Sequence, residues 1–327
     1  MAHKLKQFRV KAMLSQAKLA KAVGVSQPNY QRWESGAAPI PKDKLAKLAK
    51  ILKTNPDALL GRHPPVLAGF YDKSVGEDLN YYGEVAVHFA GSGAPLLLSI
   101  TDGAFSRLHR ALQQQPSFVT VESLSNQTVV IRANSIADVY FSSEAYDDFG
   151  PEHDSYVDHA SLQMPDARDW EIVEELSFDG DLSAFSAEDV KRVSKAVMIT
   201  DLQYKTLVAE GKIKPDELES EVQKNAIETE KIFERATHIK YQLSNGKQRT
   251  AHISDDKELF DSFYELIDFS ENFDDARSKL IRIPIEGWHR IAFINSAAID
   301  YIILPTHRFE RGRTETDASM LDESDNT

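Results

Sequence analysis

No cysteine occurs among the 327 residues. Disulfides and thiolate metal sites are therefore excluded, and a cytoplasmic location is expected, because oxidising compartments favour cystine-stapled chains. The ten histidines are scattered, with neither an HxxxH nor an HExxH spacing, so no metal site is expected. No apolar run approaches the roughly 18 residues that cross a bilayer. The opening MAHKLKQFRVKAML has too short an apolar stretch for a signal peptide. There is no GxSxG, no phosphate-binding Gly-Lys loop and no zinc spacing. Carboxylates are plentiful, but spacing singles out no acid–base pair. The expectation is a non-enzymatic protein without cofactor or membrane contact.

What the chain has instead is charge, unevenly placed. The net charge is −13, yet residues 1–62 hold 13 Lys or Arg against 3 Asp or Glu, while residues 63–327 hold 25 against 48. The first part is thus +10 and the remainder −23. A small basic domain on an acidic body suits phosphate binding by one end only. A chain of this length also exceeds what one hydrophobic core usually organises, so several domains are expected.

The basic end carries the sharpest local pattern, SQAKLAKAVGVSQPNYQRWESG over 15–36. Ser15 is a good N-cap, because its hydroxyl can accept from an amide left free at a helix start. Leu19, Ala20 and Val23 repeat at helical spacing, and Gly24 follows them where a left-handed residue usually ends a helix. Ser26 caps a second helix after a very short turn, with Pro28 in its first turn, where a missing N–H costs nothing. Tyr30 and Trp33 face inward, which leaves Gln27, Asn29, Gln31 and Arg32 pointing elsewhere. Helices are expected near 4–13, 15–23, 26–35, 42–53 and 55–61.

This stretch resembles the helix-turn-helix of the Cro and lambda-repressor-like family, the XRE class. The likeness runs over 4–61 and includes Ser-Gln, Leu-Ala, Val-Gly-Val-Ser and Trp-Glu-Ser-Gly. It implies an all-α DNA-binding domain whose third helix enters the major groove with its first residues. On this chain those are Gln27, Pro28, Asn29 and Arg32. Gln27 matches a position where related repressors place a glutamine that reads adenine, and Arg32, one turn on, suits guanine. Pro28 departs from the usual polar residue and offers only an apolar contact. Gln16 and Ser35 match phosphate-contacting positions, Lys42 and Lys44 are phosphate candidates by charge, and Ser26 and Gln31 complete the DNA-binding set. Arg9 falls where the family has an arginine that pairs with the glutamate now at 34. Domains of this kind bind as dimers to two-fold sites, so the implied partners are double-stranded DNA and a second copy of the chain. Some related phage repressors cleave themselves at an Ala-Gly bond through a Ser–Lys dyad. Ala68-Gly69 and Ala90-Gly91 are present, but no lysine lies between Lys73 and Lys191, so nothing there deprotonates a serine.

The remaining chain reads as an α+β region. Residues 63–82, with two adjacent prolines, form a linker. Over 83–142 the order is strand (84–89), strand (96–100), helix (105–113), strand (118–124), strand (128–141). The same order recurs over 237–308, with a Ser244-Asn245-Gly246 turn and a last strand over 289–304. Ile100-Thr101-Asp102 resembles Ile253-Ser254-Asp255, Val129-Val130-Ile131 resembles Ile291-Ala292-Phe293, and Asn134-Ser135 resembles Asn295-Ser296. A duplicated module is expected. Between the copies, 143–236 is an acidic, partly helical connector with helices near Trp170, over 186–199 and over 216–236. The end, 309–327, is polar and acidic and reads as a disordered tail. The expected function is a sequence-specific transcription regulator, a repressor, whose C-terminal modules dimerise or sense a protein or small-molecule effector. Two alternatives stay open. One is an antitoxin-type autorepressor that binds a partner protein. The other is RNA binding, since LSNGK and VVIRANSIADVYF faintly resemble Sm-like small barrels; the charge of −23 opposes it.

Overall fold

The computed structural model describes residues 4–70, 72–91, 94–114, 116–142, 163–268, 280–285 and 291–324. The acidic run 143–162 and the positions Lys279, His289 and Arg290 lie outside them. Helices α1 (Leu5–Lys11), α2 (Gln16–Val23), α3 (Gln27–Glu34), α4 (Lys42–Ile51) and α5 (Pro56–Leu59) form the first domain. Leu5, Leu19, Val23, Tyr30, Leu48 and Leu59 are fully buried at its centre, each worth roughly 1.5–3 kcal/mol of transfer free energy. Ser15 Oγ accepts from the Lys18 amide at 3.2 Å. Gly24 ends α2 at φ +79°, in the left-handed region that a Cβ disfavours.

An α+β region with several sheets comes after it. Its first half holds β1 (Gly69–Phe70), β2 (Asn80–Phe89), β3 (Leu96–Thr101), α6 (Asp102–Gln114), β4 (Phe118–Ser123), β5 (Gln127–Arg132) and β6 (Ile136–Ser142). A helical stretch comes next: α7 (Ala167–Ser177), α8 (Ala187–Val197), α9 (Asp201–Ala209) and α10 (Leu218–Thr237). Trp170, Ile172, Val173, Val193, Val197 and Ala236 give it a core of its own. The second half holds β7 (His238–Leu243), β8 (Gln248–His252), α11 (Asp256–Asp268), β9 (Leu280–Pro284), β10 (Ile291–Asn295), β11 (Ile299–Pro305) and a final helix, α12 (Thr306–Glu323).

The expected strands 128–141 and 289–304 are each broken. One-turn 3-10 helices at Ala133–Ser135 and Ser296–Ala298 separate β5 from β6 and β10 from β11, so each half has three strands after its hairpin and helix where two were expected. The pairing also repeats. β2 pairs with β3 and β6, and β4 with β5; β7 pairs with β8 and β11, and β9 with β10. Ala90 N donates to Ser135 O and Ser244 N to Ala298 O at matching points of the two halves. Phe118 opposes Arg132 as Leu280 opposes Asn295. These registers set Val129-Val130-Ile131 level with Ala292-Phe293-Ile294, one residue on from the alignment read in the sequence, and Asn134-Ser135 level with Ala297-Ala298. β5 and β11 pair with each other and join the halves into one sheet, ordered β4-β5-β11-β7-β8.

The supposed tail is α12, and it crosses the molecule. At its start, Asn126 Oδ1 accepts from the His307 amide at 2.9 Å. Arg308 donates to Asp256 Oδ1 at 2.7 Å and to Thr237 O at 2.8 Å. Arg311 bridges Asp256 and Glu174 at 2.6 and 2.8 Å. Gly312 is needed where α12 meets α11, because a Cβ there would lie 2.0 Å from Asp256 O. Further along, Lys6 Nζ donates to Glu315 Oε2 at 2.6 Å. The composition of 309–327 concealed this helix because ion pairs and a close backbone approach seat it, with Phe309 and Ala318 its only buried apolar side chains.

Candidate nucleic-acid interface

The α2–α3 unit is locked from behind. Arg9 Nε and Nη2 donate to Glu34 Oε2 and Oε1, each at 2.9 Å, and both side chains are essentially unexposed. This is the expected Arg9–Glu34 pair, in the bidentate geometry that fixes a guanidinium against a carboxylate. Burial pushes the Glu34 carboxyl up, but Arg9 outweighs it and holds the group below the ordinary carboxylate range. Gln16 Nε2 donates to the same carboxylate at 3.2 Å. Tyr30 and Trp33 bury the inner face of α3.

The opposite face is open. Ser26, Gln27, Pro28, Asn29, Gln31, Arg32 and Ser35 are all exposed. Ser26 has the extended backbone of an N-cap, but its hydroxyl makes no capping bond. Pro28 lies in the first turn. Ser35 Oγ donates to Arg32 O at 3.3 Å. The helix therefore offers a row of polar ends with one apolar interruption, held on a rigid core.

The candidate phosphate contacts divide. Lys42 is exposed at the start of α4. Lys44 is half-buried, with Nζ 3.4 Å from Val23 O, and Lys47 reaches the same carbonyl at 3.1 Å. Both cations thus sit at the C-terminus of α2, where the helix dipole favours them. Gln16 is half-buried, and its backbone N–H donates to Asp322 Oδ1 at 2.7 Å. The same carboxylate group lies within 3.3 Å of Arg9 Nη1. The end of α12 therefore seats an anion on the first turn of α2. No local spacing in the sequence signals a contact between residues 306 positions apart.

The domain is also tied to α7 and the turn that leads into it. Arg168 Nη1 donates to His63 O at 2.8 Å, Asp166 Oδ2 accepts from the Val66 amide at 3.1 Å, and Lys4 pairs with Glu171 at 2.7 Å. No group of acidic and histidine side chains that could hold a metal ion occurs among the described residues. No helix among them is long and apolar enough to cross a membrane.

Comparison with known families matches residues 5–59 to a helix-turn-helix family model. No curated protein and no solved structure matches the chain. The match covers α1–α5 and supports a DNA-binding transcription regulator.

Proposed function

We propose that the chain is a sequence-specific repressor that sets α3 in the major groove of DNA. The observation that carries this reading is the two-sidedness of α3: Tyr30, Trp33 and Glu34 are buried, while Gln27, Asn29, Gln31 and Arg32 are exposed together. Gln27 reads adenine through its amide, and Arg32 reads guanine N7 and O6. Pro28 meets an apolar edge such as a thymine methyl. Lys42, Ser35 and the first turn of α2 at Gln16 take phosphates, which fix register and give salt-dependent affinity. Ser26 and Lys44 border this contact.

One such domain covers few base pairs, so the protein acts as a homo-oligomer on a repeated site. The α+β halves are two copies of one module, a reading supported by the repeated element order and the repeated strand pairing. They provide assembly, and through α12 they touch the DNA-binding domain directly. Selection of duplexes from a random pool by the full chain tests the reading. A two-fold motif is expected, with Gln27→Ala and Arg32→Ala each relaxing particular bases at about 1–3 kcal/mol. Weak, steeply salt-dependent binding that ignores both substitutions would sink it.

A further inference from the structure

Several strands are sheet edges among the described residues, and two of them, β6 (paired there only with β2) and β10 (paired only with β9), hold places whose counterparts in the other half are covered. β5 holds β10's place in the first half, and its outer edge is covered by β11, which holds β6's place in the second. The exposures reflect this difference. Val130 is buried in the core of the second half, Phe118 packs against that core, and Thr128 is 3% exposed. Their counterparts Phe293, Leu280 and Ile291 are 62%, 66% and 52% exposed. Ile281, Ile283 and Ile294 lie between these positions and are buried. The exposed apolar side chains therefore share the one face of β9 and β10 that, on β4 and β5, receives the other half. The complementary edge shows the same relation. Ile303 of β11 packs against the first half's core, whereas Tyr140, level with it on β6, is exposed; Asp138, level with the buried Tyr301, is a carboxylate paired with His88 at 2.6 Å. An open apolar edge strand is a template for another strand.

We infer that β6 of one copy of this chain adds to β10 of a second copy, in the register that β11 takes on β5. That register sets Tyr301 opposite Ile131, Ile302 opposite Val130, Ile303 opposite Val129 and Leu304 opposite Thr128. Transposed, it sets Asp138 opposite Ile294, Val139 opposite Phe293, Tyr140 opposite Ala292 and Phe141 opposite Ile291 of the second copy. Phe293 and Ile291 then enter the neighbour's first-half core beside Val139 and Phe141, which are only partly covered in a single chain. The exchange is reciprocal: each chain gives β6 and receives at β10, so two copies close as a two-fold dimer, the symmetry that a two-fold site requires. The inference rests on the duplicated-module reading and specifies the homo-oligomer; it does not depend on how α3 reads DNA.

The absence of cysteine makes engineered thiols free of background. Full-length Val139→Cys and Phe293→Cys variants are prepared separately, mixed in oxidised glutathione and resolved by mass spectrometry. The expected product is a disulfide that joins one chain of each variant. Neither variant alone should give a covalent dimer, and the wild-type chain should sediment as a dimer. Phe293→Lys should lose the higher species and keep the wild-type circular dichroism spectrum. A wild-type monomer at every concentration would overturn the inference and assign the β10 edge to another segment of the same chain. A covalent dimer from Phe293→Cys alone would replace it with β10–β10 pairing. Oligomers that persist in Phe293→Lys without a mixed disulfide would place the interface elsewhere. Gln27→Ala and Arg32→Ala should leave the sedimentation unchanged, so failure of the DNA reading is told apart from failure of this one.

Discussion

Asp322 and a DNA phosphate would compete for one donor. The Gln16 backbone N–H faces the Asp322 carboxylate at 2.7 Å, at the helix end where the proposed function puts a phosphate. Asp322→Asn weakens the resident anion and is expected to tighten operator binding by about 0.3–1 kcal/mol. Fluorescence anisotropy with a selected duplex measures this, and unchanged or weaker affinity would end the competition argument. A second test concerns the buried pair behind α3. Glu34→Gln leaves Arg9 with Asp322 as its nearest carboxylate, at 3.3 Å, and is expected to cost about 3 kcal/mol in thermal unfolding. Glu34 is held below the ordinary carboxylate range. Its contribution is therefore complete at neutral pH and disappears as pH falls through its lowered value. The sequence showed the Arg9–Glu34 pair through family pattern and the inward face of α3 through spacing. It could not show that Lys44 serves the end of α2, because charge alone does not distinguish a phosphate from a helix carbonyl.

The element that spacing misread most is α12, and its seat is electrostatic. Glu174 meets His307, Arg308 and Arg311 at 3.3, 3.4 and 2.8 Å. Burial works against its ionised form, but the His307 contact and the Arg311 charge prevail and hold it down at about 2. A lowered carboxylate stabilises the fold above its unfolded pKa, and that share is lost as pH falls from about 4.5 toward about 2. Hydrogen exchange along 306–323 should accelerate in that window. Glu174→Gln should abolish the acid step and lower neutral-pH stability by on the order of 2 kcal/mol. Exchange rates in α12 that ignore both changes would assign its seat to other contacts. Apolar periodicity finds helices such as α4 and α8, whose stripes are Leu or Val. It misses a helix held by His307, Arg308, Arg311 and Gly312. It also ran β5 into β6, since Ala133–Ser135 makes only a single turn between two β-branched runs.

For the whole molecule, the proposed strand addition and the proposed DNA contact become one quantity, the avidity for a repeated site. A Phe293→Lys chain should still engage a half-site, yet bind the full site at least about tenfold more weakly than wild type. Equal affinity at equal salt would detach assembly from DNA recognition. The order of hairpin, helix and strands in each half was legible because each element leaves a local trace. How the halves line up was not, since short runs of Val, Ile and Phe match equally well one residue out of step; only paired strands fix a register. The connection from β11 into α12 has a mechanical consequence. Eighteen helical residues make a rod of about 27 Å, rooted at Asn126 and Asp256 and ending at Arg9 and Gln16. A tilt of about 5° at the root carries the tip through about 2 Å, more than a hydrogen bond tolerates. The rod thus has the geometry of a lever arm, in which a small angle at the sheet joint would become a displacement at the DNA-binding domain in proportion to its length.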